Sequence, residues 1–324
     1  MGMNKRHVLD LDTYSKTDIE VVLTNTFKMK ELLKQGIKKA PNLNGKILVN
    51  IFLEASTRTR VSFERAAKIL GADVINVSGS GSSIEKGESL YNTALTLQAM
   101  NADIIVVRHP HAGAPYFLAR HLNASVINAG DGSHAHPTQA MLDLFTVYEN
   151  FGRLENLKIV IIGDILHSRV ARSNIWGFVK LGAELVLCGP KTLLPKEFKT
   201  NLAFYYPDGF KNIRVESNIS DAVKDADVVM ALRLQKERQK HWSIPSIREY
   251  ANLFCITPEV MKLAKTSAIV MHPGPMNEGI EIETSVAHSD RSVVENQVTN
   301  GLAVRMAVLL NVTQSSKVRK MGDS

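Results

Sequence analysis

Ser56-Thr57-Arg58-Thr59-Arg60 places three hydroxyls and two guanidiniums in five consecutive positions. At the start of a helix such a run can hold a phosphate. Unpaired backbone N–H groups and the positive end of the helix dipole draw an anion there, short Ser and Thr side chains add donors, and Arg adds a planar fork matched to phosphate oxygens. Read alone, the same residues also fit an ordinary Ser/Thr cap flanked by surface arginines. A second polar run, residues 128–139, ends in His136-Pro137-Thr138-Gln139, and a third is His272-Pro273-Gly274-Pro275. Arg108 follows the apolar run 103–107, Arg169 follows 159–163, and Arg233-Leu234-Gln235 follows 228–232. Arg233 and Gln235 flank Leu234 in alternation, so in an extended segment both point to one side, as a clamp on a carboxylate requires.

The elements that must position these groups are legible as apolar periodicity. Residues 46–53 read as a buried parallel strand, and 61–70, with apolar Val61, Phe63, Ala66, Ala67 and Leu70, read as an amphipathic helix. Further strands at 74–77, 104–107 and 126–128 alternate with helical patterns, as a parallel sheet built from βαβ units requires. Residues 150–154 break the last of those helices, and a second half restarts at 158–164 with later strands at 185–187, 213–215, 228–232 and 269–271. The predicted fold class is α/β, in two domains, each a parallel sheet flanked by helices. Ligands bind outside the carboxyl ends of such strands, so the polar runs belong on one edge of each sheet. A last helix over 293–312 contains Gly301, which marks close packing.

Bulk properties narrow the function classes. A chain of 324 residues exceeds the size at which single cores stop growing, and 44% hydrophobic with 22% charged residues is a globular composition. No run approaches the roughly 20 apolar residues of a membrane span, and residues 1–10 lack a signal-peptide core, so a cytoplasmic location and no membrane partner are expected. The formal charge of +7 is scattered without a recognition helix or an aromatic-interleaved patch, which points to steering of small anions and not to nucleic acid. Cys188 and Cys255 are too few for a disulfide framework, and Cys188 reads as a buried thiol. His134 reads as an exposed loop histidine, and with no ligand set around it and His136 no metal is expected. Gly163 lacks the further glycines of a dinucleotide turn and no Walker loop exists, so NAD and ATP are disfavoured. Residues 79–88 read as a polar Gly/Ser loop, Lys236-Glu237-Arg238 as a solvated face, and 317–320 as a solvated tail.

With Ser56-Thr57-Arg58-Thr59, His136-Pro137-Thr138-Gln139 and His272-Pro273-Gly274-Pro275 together, the chain resembles the aspartate and ornithine carbamoyltransferase family from about Phe52 to Val308. The resemblance implies a carbamoyl-phosphate domain at 1–147, an amino-acid domain at 148–290, and a C-terminal helix at 291–324 that returns to the first. It implies that carbamoyl phosphate meets Ser56, Thr57, Arg58, Thr59, Arg108, His136, Gln139, Pro273 and Gly274, and that Ser82 and Lys86 reach into a neighbour's site within a homotrimer. Arg58, Thr59, Lys86, Arg108 and His136 are the expected catalytic residues. Arg169 would hold the α-carboxylate of aspartate, Arg233 with Gln235 its β-carboxylate, and Lys86 would also lie at aspartate. The activity implied is carbamoyl transfer to L-aspartate, an early step of pyrimidine synthesis, without a cofactor. Transfer to ornithine or another amine is the alternative. Two arginines oppose a cationic substrate, and Pro273 follows His272 directly where the ornithine branch typically has Cys. Gly274 stands where some aspartate enzymes carry Leu. Regulatory chains or a dihydroorotase are the further partners that the resemblance brings into view.

Overall fold

The structure, a computed structural model, describes residues 5–79, 83–195, 212–235, 244 and 246–322. It divides into two units, Met1–Phe145 with Thr299–Ser324, and Thr146–Val298. Among the described residues no helix is long and apolar enough to cross a membrane.

In the first unit the parallel strands β1 (Ile47–Phe52), β2 (Asp73–Ser78), β3 (Ile104–His109) and β4 (Ser125–Asp131) are arranged in the order β2-β1-β3-β4. β1, β3 and β4 are almost wholly buried, as expected of strands covered on both faces, while β2 is the outer strand and leaves Ile75 39% exposed. Helix α1 (Lys16–Lys34) starts with a capping box, Ser15 and Asp18 each accepting from the other's backbone N–H. Helices α2 (Thr57–Ile69), α3 (Leu90–Ala99), α4 (Ala114–His121) and α5 (Pro137–Phe151) follow the strands in turn. Val61 is a correction. It is 49% exposed, because Phe63, Ala66, Ala67 and Leu70 make the buried stripe at helical spacing and Val61 lies about 200° round the helix from Phe63.

The second unit has the order β7-β6-β5-β8-β9, all parallel, from β5 (Lys158–Ile162), β6 (Glu184–Cys188), β7 (Ile213–Glu216), β8 (Val228–Ala231) and β9 (Ile269–Met271). Helix α6 (Arg169–Lys180) follows β5, and α7 (Ile219–Val223), α8 (Ile247–Phe254), α9 (Pro258–Met261) and α10 (Thr284–Ala287) complete the set described between β7 and residue 287. Val160, Ile162, Val229, Tyr250, Phe254 and Val270 are buried together in its core. Cys188 lies in that core too, and burial pushes its thiol up to about 12, so it behaves as a small apolar side chain.

The last helix, α11 (Val294–Gly322), belongs to the first unit from residue 299 onward. Lys30 Nζ donates to Asn300 Oδ1 at 2.7 Å and Asn25 Nδ2 to Asn311 Oδ1 at 2.8 Å, tying α11 to α1. A Cβ at Gly301 would lie 2.6 Å from Arg305 Nη1 and 3.2 Å from Leu142 Cδ2, which is the close packing expected there. The backbone of α11 runs on through residues 317–320.

In each sheet the connections run one way and then reverse. β1 leads to β2 on one side while β3 and β4 lie on the other; β5 leads to β6 and β7 while β8 and β9 lie opposite. A crevice opens at such a reversal, outside the carboxyl ends of the two strands, and that is where open α/β sheets bind ligands.

Candidate active site

The first reversal, between β1 and β3, carries Ser56 to Arg60 on one side and Arg108 on the other. Phe52 and Arg108 are register partners, so the chain leaving β1 starts beside the Arg108 backbone. Ser56 occupies the N-cap position of α2 but its side chain makes no capping bond, and the first turn holds no acidic residue. Ser56 thus sits where a cap would, without making the capping bond. Ser56 and Arg60 are half-buried, Thr57 and Arg58 exposed, and Thr59 buried. Arg108 Nη2 donates to Glu54 Oε1 at 2.6 Å, with the two side chains 12% and 25% exposed. A pair this shielded fixes the direction of the guanidinium more firmly than a surface pair would.

β4 delivers the next groups. Asp131, fully buried at its end, accepts from Gly113 N at 2.8 Å, Asn128 Nδ2 at 2.8 Å and Ala135 N at 3.1 Å. One carboxylate thus joins the start of α4 to the turn that leads into α5. Gly132 has φ +51°, and a Cβ there would lie 3.0 Å from both Pro110 O and Ala112 N, so the turn must carry glycine to lie this close to the β3–α4 connection. His136 emerges from the turn 4% exposed, immediately before Pro137 opens α5. Gln139 donates through Nε2 to Asp143 Oδ1 at 3.0 Å, which leaves its Oε1 as the end available to accept.

His134 departs from expectation. Its Nδ1 lies 3.1 Å from Asp131 Oδ2, and this bond raises the imidazole pKa above its ordinary value against the opposing effect of burial. A loop histidine three residues from a buried carboxylate has a partner that spacing alone did not reveal. Lys86 closes a 3-10 turn, Ser83–Lys86, beyond the outer strand β2, and is exposed. Ser82 lies outside the described residues, as do Lys236, Glu237 and Arg238. The four parallel strands put 56–60, Lys86, Arg108 and 136–139 at one edge of the first sheet.

The second reversal, between β5 and β8, is equally tight. Gly163 has φ +134°, and a Cβ on it would come 2.8 Å from Leu232 O and 3.2 Å from the Tyr250 hydroxyl. Arg169 is the first residue of α6, capped by Ser168 through the Ala171 N–H, and is 4% exposed. Next to this turn Asp164, fully buried, accepts from His167 N at 3.2 Å and lies 2.8 Å from His167 Nδ1. After β8, Leu234 is buried while Arg233 and Gln235 are half-buried, the alternation expected of an extended segment, and Gln235 Nε2 donates to Arg233 O at 3.3 Å.

The turn after β9 is held by His272, whose side chain is buried. Gly274 N donates to its Nδ1 at 2.8 Å, so the neutral ring carries its proton on Nε2, 3.3 Å from Glu281 Oε1. Glu281 Oε1 also accepts from Asn277 N at 2.6 Å. Gly274 has φ +66°, a conformation that glycine takes without strain and leucine does not. Pro273 and Gly274 are partly exposed on this turn. Glu54, Asp131, Asp143, Asp164 and Glu281 all went unnoticed as sequence. Each carboxylate orients another side chain or a turn, and a single acidic residue carries no local pattern that announces that task.

Arginines and hydroxyls follow the strands at one reversal, and two arginines with an amide follow those at the other. Residues 6–149 match the model of the aspartate/ornithine carbamoyltransferase carbamoyl-P binding domain, and 155–312 that of the Asp/Orn binding domain. The aspartate carbamoyltransferase catalytic subunit of a Roseiflexus species is 54% identical over 309 residues, covering 95% of each chain. The crystal structure of aspartate transcarbamoylase from Trypanosoma cruzi in complex with N-(phosphonacetyl)-L-aspartic acid is similar with a TM-score of 0.85 at 30% identity, over 94% of this chain and 95% of that one. Ornithine carbamoyltransferase from Pyrococcus furiosus gives 0.84 at 30% identity, over 95% and 97%. The backbone is thus common to both branches, and the chain belongs to the aspartate/ornithine carbamoyltransferase family.

Proposed function

We propose that this chain transfers the carbamoyl group of carbamoyl phosphate to the α-amine of L-aspartate, giving N-carbamoyl-L-aspartate and phosphate. The observation that supports the choice of aspartate is that Arg169 follows β5 while Arg233 and Gln235 follow the adjacent parallel strand β8. Two guanidiniums and an amide suit a dicarboxylate and oppose the ammonium of ornithine. Relatives at about half identity over nearly the whole chain bear the aspartate name, which supports the same choice.

The residues take their parts in the reaction as follows. Ser56, Thr57, Arg58 and Thr59, with the start of α2, hold the phosphate. Thr59, Arg108 and His136 donate to the carbamoyl oxygen, where negative charge grows as the neutral amine attacks the carbon, and donors fixed in advance are worth most at that atom. Gln139 Oε1 and the backbone of Pro273 and Gly274 accept from the carbamoyl amide. The new C–N bond replaces the bond from carbon to the bridging phosphate oxygen, and a phosphate oxygen takes the amine proton. Positioning and electrostatics supply most of the acceleration.

Ser82 and Lys86 act in a neighbouring subunit of a homotrimer, a reading supported for Lys86 by its exposure beyond an outer strand. Mixing inactive Lys86→Ala and His136→Ala chains then regenerates intact sites, up to about one in three in mixed trimers. Hybrids as inactive as their parents would remove the shared site. The direct test of the activity supplies aspartate and ornithine side by side at fixed carbamoyl phosphate. Carbamoyl-aspartate is the expected product, and citrulline as the main product overturns the assignment.

A further inference from the structure

Helix α2, whose first turn carries Arg58 and Thr59, is gripped from two opposite sides, and neither grip belongs to the proposed chemistry. On one side stands Arg305 of α11, 5% exposed: its Nη1 donates to Ser62 Oγ at 3.0 Å, and its guanidinium carbon lies 5.3 Å from the Phe63 ring centre. Gly301 makes room for that head, since a Cβ there would lie 2.6 Å from Arg305 Nη1. On the other side Glu64 Oε2 accepts from Asn76 Nδ2 on β2 at 3.0 Å, and Asn50, fully buried on β1, donates through Nδ2 to Asn76 Oδ1 at 2.9 Å. Ser62 and Glu64 lie about 200° apart around the helix. Contacts so placed oppose its rotation. Ser62 and Phe63 also lie four residues beyond Arg58 and Thr59, on the same faces of α2. The first turn itself has no side-chain capping bond at Ser56 to set it.

We propose that Arg305 is a positioning residue that fixes the rotation of α2, and thereby the aim of Arg58 and Thr59 at the phosphate, through its contacts with Ser62 and Phe63. A hydrogen bond and a cation over an aromatic face hold the helix at two neighbouring points. Side chains stand about 5–6 Å from a helix axis, so a rotation of only about 10° moves them by about 1 Å. A displacement of that size at a reacting centre costs up to about a hundredfold in rate. Stability gives less reason for a cation here. Arg305 Nε is buried without a hydrogen-bond partner among the described residues, a cost that an apolar side chain of similar shape would avoid. The inference rests on the reading of residues 56–59 as the phosphate cradle.

Calorimetric binding of carbamoyl phosphate to the purified full chain, read beside the midpoint of urea unfolding, tests it. Ser62→Ala keeps the charge of Arg305 and removes its hydrogen bond, so a loss of affinity is one of alignment and not of positive potential. Affinity is expected to fall about fivefold to tenfold, a loss bounded by the free energy of the bond removed. Wild-type affinity in Ser62→Ala overturns the proposal whatever happens to its stability, because a role in packing alone would lower the unfolding midpoint and leave the folded protein binding normally. Arg305→Met removes both contacts and should lose at least as much. Combined with Ser62→Ala it should lose little more, since the two residues act through one contact, whereas fully additive losses would separate them and overturn the pairing. If Arg305→Met does not fold, Ser62→Ala decides alone. Wild-type protein that binds no carbamoyl phosphate overturns the underlying cradle reading instead.

Discussion

The two switch-point regions are built differently. In the first unit Arg108 is held by Glu54 at 2.6 Å, Gln139 by Asp143 at 3.0 Å, and the turn that carries His136 by the Ala135 N–H to the buried carboxylate of Asp131, which also accepts from Gly113 and Asn128. In the second, Arg169 is buried at the start of a capped helix, but Arg233 and Gln235 lie half-buried on the extended piece after β8, with Gln235 tied to the Arg233 carbonyl at 3.3 Å. The groups proposed to meet a developing charge are fixed by neighbouring carboxylates. Those proposed to choose the amine are carried on short segments following strands. The fold can keep its carbamoyl phosphate chemistry while the second region changes, and the similarity of its backbone to both branches of the family accords with that.

The largest expected effect breaks the first region alone. Arg58 is exposed at the start of α2, so Arg58→Ala should leave the fold intact and lower turnover by about a thousandfold, the scale of removing a principal transition-state donor. Near-normal turnover in the folded variant would remove the phosphate cradle. Next comes the second region, where Arg233→Ala should weaken aspartate by about 2 kcal/mol, roughly thirtyfold in KM, as for truncating one partner of a charge pair. An unchanged KM for aspartate would separate Arg233 from the clamp.

A finer test asks whether fixing matters or only the presence of the arginine. Glu54→Gln keeps a hydrogen-bond acceptor beside Arg108 but removes the charge, and kcat should fall about tenfold with little change in thermal stability. Wild-type kcat would show that Arg108 needs no anchor. The smallest effect concerns His134, which takes no part in the proposed chemistry. Its folded pKa is raised, so protonation favours the folded state: the stabilisation is fully present below about pH 6.5, the unfolded value, and fades as pH rises through the folded pKa. Because the side chain is 38% exposed, screening keeps the effect under about 1 kcal/mol. His134→Ala should therefore lower the midpoint of urea unfolding more at pH 5.5 than at pH 8.5, and an equal loss at both would contradict the Asp131 ion pair.

Much of this was legible in the sequence because apolar runs and hydroxyl-arginine clusters carry period and composition. Residues 46–53 announce β1, and 158–164 announce β5 together with the glycine turn after it. The alternation of Arg233, Leu234 and Gln235 foretold the burial of Leu234 between two half-exposed neighbours. What failed to show was support at a distance. Glu54 lies 54 residues from Arg108, and Arg305 lies 243 from Ser62, so neither pairing has a local signature. Val61 is apolar yet exposed, because residue type alone does not give its angle around the helix. β4 runs on to Asp131 instead of stopping at Asn128, because Asp131, a poor strand former alone, pairs with His109 of β3 across a register shift.

The central claim is that Arg58 in the first region is needed to bind carbamoyl phosphate, whereas Arg233 in the second serves only the choice of amine. Calorimetric titration of carbamoyl phosphate, without aspartate, into the wild-type, Arg58→Ala and Arg233→Ala proteins tests it most directly. The account predicts that binding is lost in Arg58→Ala and stays within about twofold of wild type in Arg233→Ala, since that residue belongs to the other unit. Equal losses in the two variants, or binding that survives in Arg58→Ala, would contradict it.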